Sequence, residues 1–365
     1  MNSQSAFKVV LALIALSALV ITWALYRSYF GRGPIDPSWF ESNELTVVAY
    51  PSFVSGFGPG PELAKAFERR CGCEVKLVNG GDTGVLIQRV ALRPDRMGAD
   101  VIIGLDQFAL HEARELLSWE LLSGADTVAW LETLKDRVEP EFWPYDWAPM
   151  TLLYRESEGD LSHIRSWQEL GEQLSPRSIA LQDPRTSHPG LQFLYWQWSL
   201  AGGDSDPEGA FGSHLRRLAP LVHSQSPGWS QSYGLFQRRQ TRLTFSYFTS
   251  LSFHRQVEED YDIQALQLDV PHPYQVEYMG VPSSCTQCDL AQDFVRFLME
   301  PEAQKIIMEK NFMLPVVESV EMEGAFGDVF ERVSSLSLLS REEEEAFLIM
   351  RESLEQIWSQ VFRQR

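Results

Sequence analysis

Basic residues are scarce in this sequence, and their scarcity limits its partners. The 365 residues include 31 Lys and Arg against 50 Asp and Glu, which gives a formal net charge of −19. Nucleic acids are bound through Lys and Arg on their phosphates, so we expect no nucleic-acid partner. The same balance keeps a protein soluble and favours a cationic ligand through long-range attraction.

The sequence also lacks the motifs of the common catalytic sites. There is no Gly-rich loop ending in Lys, so the chain is not the ATPase of a transporter. His111-Glu112 has no second histidine to complete a zinc-protease helix. Gly228-Trp229-Ser230 lacks the closing glycine of a nucleophile elbow. With no nucleophile and base at motif spacing, we predict a binding protein and not an enzyme.

Cysteine is rare, with four residues in two close pairs, Cys71/Cys73 and Cys285/Cys288. Local disulfides in an oxidising compartment are the favoured interpretation. A zinc site using all four is a weaker alternative, because Cys-x-Cys stands at a strand start and the pairs lie far apart in sequence. A disulfide across one intervening residue is strained, so free thiols stay open as a third interpretation.

One long apolar run begins at Val9 and ends at Tyr26. As a helix it would be roughly 27 Å long, close to the thickness of a bilayer core. We predict that residues 1–30 are a signal peptide or a membrane anchor and that residues 31–43 form a linker. In both cases the remaining chain is expected in the periplasm or another extracytoplasmic space, with or without an anchor in the inner membrane.

Strand and helix patterns alternate along the remaining chain, which predicts an α/β fold with a mostly parallel sheet. An aromatic, extended stretch at 143–154 predicts a crossing into a second lobe, and 274–281 predicts the return crossing. Strands are predicted at 45–50, 74–78, 101–105, 178–181 and 242–247, and helices at 62–70, 85–92, 109–122, 127–137, 191–198, 209–221, 290–299, 301–310 and 342–362.

The stretch QDPRTSHPG at 182–190 connects a predicted strand to an apolar helix. Thr186 or Ser187 is placed to cap this helix, with Pro189 in its first turn. A helix start carries unpaired N–H groups and partial positive charge, which suits an anion and above all a phosphate. An ordinary capped turn is the alternative.

This stretch resembles the thiamine-binding subunit of bacterial ABC importers. Four more stretches resemble the same family in the same order, at 50–68, 71–78, 99–106 and 228–250. The resemblance implies a two-lobed type II periplasmic-binding-protein fold with two crossover segments. It implies lobe 1 at 44–150, lobe 2 at 151–269, and a return crossing with C-terminal helices, mostly in lobe 1, at 270–365.

The resemblance also implies the ligand and the partners. Thiamine, its monophosphate or its diphosphate would bind between the lobes, with no other cofactor and no metal. The protein would then deliver the ligand to an inner-membrane ABC permease with its ATPase. The ligand-binding residues implied are Tyr50, Asp82, Thr83, Ser187, His188, Trp229, Tyr247, Phe248, Thr249, Ser250, Phe253 and Phe312.

These residues divide by role. The rings of Tyr50, Trp229, Tyr247, Phe253 and Phe312 offer faces to the cationic thiazolium, since aromatic faces attract cations. The pair at 82–83 would accept hydrogen bonds from the aminopyrimidine, and the pair at 187–188 would hold a phosphate. Each aromatic residue is otherwise a core residue, and Asp82 is otherwise a helix cap.

The sequence departs from the family at four of these positions or beside them. Phe253 and Phe312 stand where the family carries Tyr and Trp, Pro51 where it carries Asp, and His188 where it carries Thr. Phenylalanine keeps a π face but lacks the hydroxyl of Tyr and the indole N–H of Trp, which can form hydrogen bonds. A related cationic heteroaromatic ligand therefore remains an alternative.

Three further alternatives stay open at this point. A ferric-iron binder of the same fold would use tyrosines such as Tyr247 as hard oxygen ligands. A thiamine-degrading transferase would need a single reactive cysteine, which the close pairing disfavours. A membrane-tethered sensor or scaffold would explain an anchor, although no partner motif supports it.

Overall fold

The computed structural model describes residues 43–203 and 207–363. The predicted signal peptide or anchor, and the linker before residue 43, lie outside these ranges. None of the helices within them is both long and apolar enough to cross a membrane.

The described chain alternates strands and helices, as predicted. In chain order the strands are β1 (Glu44–Ala49), β2 (Glu74–Asn79), β3 (Val101–Asp106), β4 (Phe142–Arg155), β5 (Ile179–Gln182), β6 (Val222–Ser226), β7 (Leu243–Tyr247), β8 (Ile263–Ala265) and β9 (Tyr274–Gly280). The α-helices are α1 (Pro51–Val54), α2 (Gly60–Cys71), α3 (Thr83–Leu92), α4 (Pro94–Met97), α5 (Leu110–Leu116), α6 (Trp167–Gln173), α7 (His188–Leu200), α8 (Gly212–Leu218), α9 (Trp229–Gln237), α10 (Ser250–Gln256), α11 (Cys288–Leu298), α12 (Pro301–Asn311), α13 (Gly324–Ser334) and α14 (Arg341–Arg363). Short 3₁₀ turns lie at Ala125–Thr127, Glu132–Arg137, Glu156–Glu158 and Ala219–Leu221, and a π-helical turn lies at Pro207–Phe211.

Two groups of strands form two lobes. In lobe 1 the order is β2, β1, β3, β9, β4, and in lobe 2 it is β4, β7, β5, β6, with β8 paired to β4. The neighbours β1, β2 and β3 are parallel, as are β5, β6 and β7. β9 is antiparallel to both β3 and β4, and β4 is antiparallel to β7 and β8. The prediction of a mostly parallel sheet was therefore wrong for β4 and β9.

β4 belongs to both lobes. Its first half pairs with β9 and its second half with β7 and β8, and all of its residues are buried. A strand buried on both faces reads as a continuous apolar and aromatic run, which is why the sequence revealed it. The chain returns to lobe 1 after β8 and enters β9. The first predicted crossing, 143–154, coincides with β4, whereas the stretch predicted as the return crossing, 274–281, forms β9 within lobe 1, so the return lies before it.

The prediction of long helices between β3 and β4 was wrong. α5 ends at Leu116, and the segment after it contains only 3₁₀ turns. Its backbone bonds go to other segments, since Glu120 N–H donates to the Val281 carbonyl and Leu131 N–H to the Val316 carbonyl. Because these backbone N–H groups find acceptors in other segments, they do not need the hydrogen bonds of a helix.

The last helix, α14, packs on lobe 2. The Phe347 ring lies 4.9 Å from the Tyr195 ring of α7, and the Trp358 indole donates to Gln225 Oε1 at 2.6 Å. Near its start, Glu344 forms a buried ion pair of 2.8 Å with Arg137, which precedes β4. α14 therefore ties the surface of lobe 2 to the segment that leads into the first crossing.

The cysteines are joined within their pairs, Cys71 to Cys73 and Cys285 to Cys288. The first bridge closes the turn between α2 and β2, and the second lies at the start of α11. No cysteine is free. This pairing rules out the four-cysteine zinc site and the free-thiol interpretation.

Candidate functional site

The candidate site lies where the carboxyl ends of strands from both lobes meet. Tyr50 follows β1, Asp106 ends β3, Ser187 lies beyond β5, Trp229 follows β6 and Tyr247 ends β7. Ligands of open α/β sheets bind in the crevice beyond the carboxyl ends of the strands. The strand order of each lobe therefore brings predicted residues from distant parts of the sequence to one crevice.

Glycines allow the two lobes to approach each other closely at this crevice. A Cβ atom on Gly84 of α3 would lie 2.6 Å from the Thr186 carbonyl oxygen of lobe 2. A Cβ atom on Gly228 of lobe 2 would lie 2.7 Å from Asp82 Oδ2 of lobe 1. Both distances are shorter than a van der Waals contact, so a larger residue at either position would push the lobes apart. The structure is closed at these two points.

A buried polar pair also joins the lobes. Nδ1 of His188, at the start of α7, lies 2.5 Å from Asp106 Oδ1, and the two side chains are almost fully buried. Asp106 Oδ1 also accepts from the Phe108 and Ala109 N–H groups. Asp106 was not among the predicted site residues, and its contact turns His188 toward a carboxylate and not toward open solvent.

Ser187 occupies the N-cap position of α7, with Pro189 in the first turn, as predicted. Its hydroxyl does not cap the helix and has no hydrogen-bond partner, although the residue is fully buried. A buried hydroxyl without a partner costs free energy, so such a group calls for an explanation. Ser187 is thus available to a ligand at the start of α7.

A hydrogen-bonded chain fixes the Trp229 ring in the crevice. Its indole N–H donates to Ser246 Oγ at 2.9 Å, and this oxygen lies 3.1 Å from Ser250 Oγ. The ring stacks on Tyr233 at 4.5 Å and leans toward Tyr247 at 6.2 Å. Trp229 and Tyr247 remain half-buried, so a face of this cluster is accessible.

Phe253 and Phe312 meet across the lobes. Their ring centroids are 5.1 Å apart in an edge-to-face arrangement, and Phe312 also stacks on Phe326 of α13. Phe312 has φ of 55°, a left-handed conformation that costs a non-glycine residue energy. The ring contacts hold it there at the end of α12.

Three predicted residues at the start of α10 differ in their surroundings. Phe248 is fully buried beneath the Arg332 guanidinium, 5.0 Å from its ring. Thr249 Oγ1 contacts Met313 Sδ at 4.0 Å. Ser250 instead belongs to the chain that fixes Trp229.

A network of acids and hydroxyls that the sequence did not predict lies beside Tyr50. The Tyr50 hydroxyl donates to Glu277 Oε2 at 2.8 Å, and the Tyr145 hydroxyl donates to the same oxygen. Asn311 Nδ2 donates to Tyr50 Oη at 2.8 Å and to Asp146 Oδ2 at 2.6 Å. The network therefore connects β4 and β9 with the residue that follows β1 and with the end of α12.

Burial dominates the electrostatics of this network. Burial raises the pKa of Glu277 to about 7, although hydrogen bonds from Tyr145 and Tyr50 act in the opposite direction. Burial and the neighbouring Glu277 charge raise the pKa of Asp146 well above its usual range. Burial also raises the pKa of Asp82, while His188 opposes that shift.

Four carboxylates act electrostatically on the Tyr247 hydroxyl. Burial, followed by the charges of Glu277, Asp146, Asp82 and Asp106, raises its pKa well above the ordinary value. Aromatic faces and buried acids therefore converge on one region, which suits a flat cation with N–H donors.

A signal for the acids was present in the sequence. Asp106 interrupts the apolar run at the end of β3, and Asp146 and Glu277 interrupt the mainly apolar and aromatic strands β4 and β9. Charged residues are almost never fully buried unless they are paired or functional. Reading such interruptions as candidate ligand contacts would have found all three residues.

The fold and the crevice define a two-lobed solute-binding protein, and comparison with known proteins agrees. The family model described as bacterial extracellular solute-binding protein matches residues 45–313, and the chain belongs to this family.

Named relatives are more specific. The thiamine-binding periplasmic protein of Brucella melitensis biotype 1 is 34% identical over 290 residues, which cover 79% of this chain and 84% of that protein. The thiamine-binding periplasmic protein of Escherichia coli K12 is 32% identical over 308 residues, covering 83% and 90%. A solved periplasmic thiamin binding protein matches with a TM-score of 0.77 and 30% identity, over 87% of this chain and 96% of the other.

Proposed function

We propose that this protein captures thiamine or a thiamine phosphate in the interlobe crevice, outside the cytoplasm, and delivers it to an ABC permease with its ATPase. The observation that carries the proposal is the pairing of aromatic faces with buried carboxylates at one crevice. Trp229 and Tyr247 supply half-buried rings, and the carboxylates of Asp82, Asp106, Asp146 and Glu277 act electrostatically on Tyr247. The names of the relatives support the same ligand.

Each part of the ligand has a matching group in this proposal. The thiazolium cation would lie against the rings and near the acids, since cation–π attraction and opposite charge both favour it. The aminopyrimidine N–H groups would donate to carboxylates such as Asp82. A phosphate, when present, would accept from the Ser187 hydroxyl and the first N–H groups of α7.

A ferric ion is the second candidate that specific contacts favour, because Tyr50, Tyr145 and Glu277 place hard oxygen atoms together. The protonation of these groups argues against it. Burial and the Glu277 charge raise the pKa of both tyrosines well above the usual value, whereas iron would bind the phenolates. The two hydroxyls instead donate to the glutamate.

A thiamine-degrading activity would need a cysteine nucleophile. The thiolate is the reactive form of cysteine, and both cysteine pairs are closed as disulfides. We therefore propose binding and transport without turnover of the ligand.

Titration calorimetry of the purified protein tests the proposed function. Thiamine, thiamine monophosphate, thiamine diphosphate and a ferric citrate solution would each be titrated under the same conditions. We expect saturable heat with at least one thiamine form and none with iron. Ferric binding without any thiamine binding would overturn the proposal.

A further inference from the structure

Three acids lie side by side across the centre of lobe 1. Asp106 of β3 and Asp146 of β4 are both the direct register partners of Glu277 of β9. Directly opposite residues of antiparallel strands point to the same face of the sheet. We call Asp106, Glu277 and Asp146 the carboxylate row.

Such a row is unfavourable by itself. Like charges directly opposite each other on neighbouring strands repel, and the three residues are 0%, 5% and 0% exposed. Within the described ranges, His188 on Asp106 is the only basic side chain within ion-pairing distance of the row. Hydroxyl and amide groups, but no cation, therefore face Glu277 and Asp146.

Several acceptor atoms in and beside the carboxylate row are also without partners. Asp106 Oδ2 and Asp146 Oδ1 are buried and accept no hydrogen bond. Gln275, which is 1% exposed, donates to Glu277 Oε1 at 2.9 Å, yet its own Oε1 has no partner. Unpaired buried acceptors next to uncompensated acids fit a ligand that brings both positive charge and N–H donors.

We propose that the carboxylate row holds a proton in the ligand-free protein and exchanges it for the positive charge of the bound ligand. The inference rests on the proposed function, because it takes thiamine as the cation. The proton leaves a carboxyl oxygen of Glu277, the central member of the row, for the solvent when the cation arrives, and no other bond forms or breaks. The charge of the crevice then changes little between the two states.

Other titratable side chains surround the carboxylate row. Tyr50 and Tyr145 donate hydrogen bonds to Glu277, and His188 contacts Asp106. Tyr247 at the end of β7 interacts electrostatically with all three acids of the row, and Asp82 with Asp106. The tyrosines do not ionise near neutral pH, because burial raises the pKa of each well above the ordinary value. Asp82, whose pKa is also raised by burial, is therefore the competing source, and His188 is tested beside it because it contacts Asp106.

The sign of the pH effect follows from linkage. Burial raises the pKa of Glu277 to about 7, so its carboxyl is partly protonated below about pH 7 in the free protein. A bound cation lowers that pKa. Protons are then released on binding, so affinity rises with pH until the free carboxyl is fully ionised. We expect roughly an eightfold gain in thiamine affinity between about pH 6 and pH 7.5, followed by a plateau, from the ionised fraction of a group with a pKa of about 7.

Calorimetry of the whole protein with thiamine tests this exchange. Titrations at pH 6.5 in buffers of different ionisation enthalpy measure the protons released per ligand bound. We expect release from the unaltered protein and almost none at pH 8. Thiamine binding with the same heat in every buffer at pH 6.5, and with affinity independent of pH, would overturn the inference while leaving the proposed function intact. The absence of any thiamine binding would overturn the proposed function itself.

Three variants, each titrated with thiamine, identify the residue that releases the proton. Protons gained or lost by thiamine itself are the same for every variant and cancel when the variants are compared. Glu277→Gln should lose most of the release and flatten the pH profile, whereas His188→Gln and Asp82→Asn should retain both. Release that persists in Glu277→Gln, or that disappears only in His188→Gln or Asp82→Asn, would overturn the assignment. A neutral analogue with thiophene in place of thiazolium should bind the unaltered protein without proton release; equal release with that analogue would also contradict the exchange.

Discussion

Ser187 is a single residue whose sequence position suggests a helix-capping role that its hydroxyl does not have in the fold. It stands at the N-cap of α7, where a serine hydroxyl ordinarily accepts a backbone hydrogen bond. Here the hydroxyl has no partner, and the residue is fully buried beside His188. The helix therefore gains no capping hydrogen bond from it, which leaves the hydroxyl for a ligand.

Ser187→Ala should therefore weaken the binding of thiamine phosphates selectively. A hydrogen bond to a charged group is worth about 1.5–3 kcal/mol, and unphosphorylated thiamine would not make it. Ser166 is the matched control, because its hydroxyl does cap α6 in a capping box. Ser166→Ala should lower the free energy of unfolding by about 1 kcal/mol and leave all ligands unaffected. Thermal unfolding and titration of both variants check this, and equal loss of thiamine and thiamine diphosphate in Ser187→Ala would contradict it.

Trp229 acts through its ring face, and its indole N–H is already used by Ser246. Trp229→Ala should weaken every thiamine form alike, by about 1–2 kcal/mol, since the cationic ring is common to them. Trp229→Phe keeps a π face and should recover part of that loss. Titration of the three thiamine forms against both variants measures the effect; a loss confined to the phosphorylated forms would refute this role.

At the scale of elements, α14 and the segment before β4 are joined by one buried ion pair. Arg137 and Glu344 are 4% and 8% exposed in their side chains, and Arg137 also donates to the Tyr274 hydroxyl at the start of β9. The pair thus lies close to both crossings. Removal of one partner leaves a buried charge without compensation, and that is far costlier than the loss of a surface pair.

Glu344→Gln should accordingly lower the free energy of unfolding by about 3 kcal/mol. Glu345, the next residue of the same helix, forms an exposed pair with Arg341 and provides the control. Glu345→Gln should change stability by less than about 0.5 kcal/mol. Urea unfolding at neutral pH compares the two, and similar midpoints for both variants would show that the buried pair contributes little.

The elements also show what sequence reasoning could and could not predict. β4 was found because its run of aromatic and apolar residues is a local property. The three acids stand out in the sequence as charged residues in apolar strands, but their alignment in the carboxylate row depends on register between strands that are far apart in the sequence. The helices predicted between β3 and β4 failed for a related reason, since tertiary partners such as Val281 and Val316 take their backbone hydrogen bonds.

For the whole molecule, the two glycine contacts define the closed arrangement of the lobes. Gly84 and Gly228 lie on opposite lobes and each admits an atom of the other lobe. Ligands between two lobes are commonly enclosed by hinge motion, and here β4 and the return into β9 connect the lobes. A side chain at Gly84 should interfere with closure without entering the core of either lobe.

Gly84→Ala should therefore weaken thiamine binding and prevent full contraction on ligand addition. The unaltered protein should show a smaller radius of gyration with saturating thiamine, measured by small-angle X-ray scattering. Gly171→Ala, in α6, is the control, because a Cβ atom there would meet nothing within 4 Å. A contraction in Gly84→Ala as large as in the control would show that this contact does not limit closure.

The position of β9 between β3 and β4 also constrains how the chain folds. Ile102 pairs with Gly280, and Phe142 pairs with the same residue from the other side. The central sheet of lobe 1 therefore cannot be completed until residues 274–280 have been synthesised, after all the strands of lobe 2. Pairing across so long an interval raises the contact order, which slows folding. A nascent chain of this protein thus remains incompletely folded for most of its synthesis, in the state that passage through a membrane pore requires.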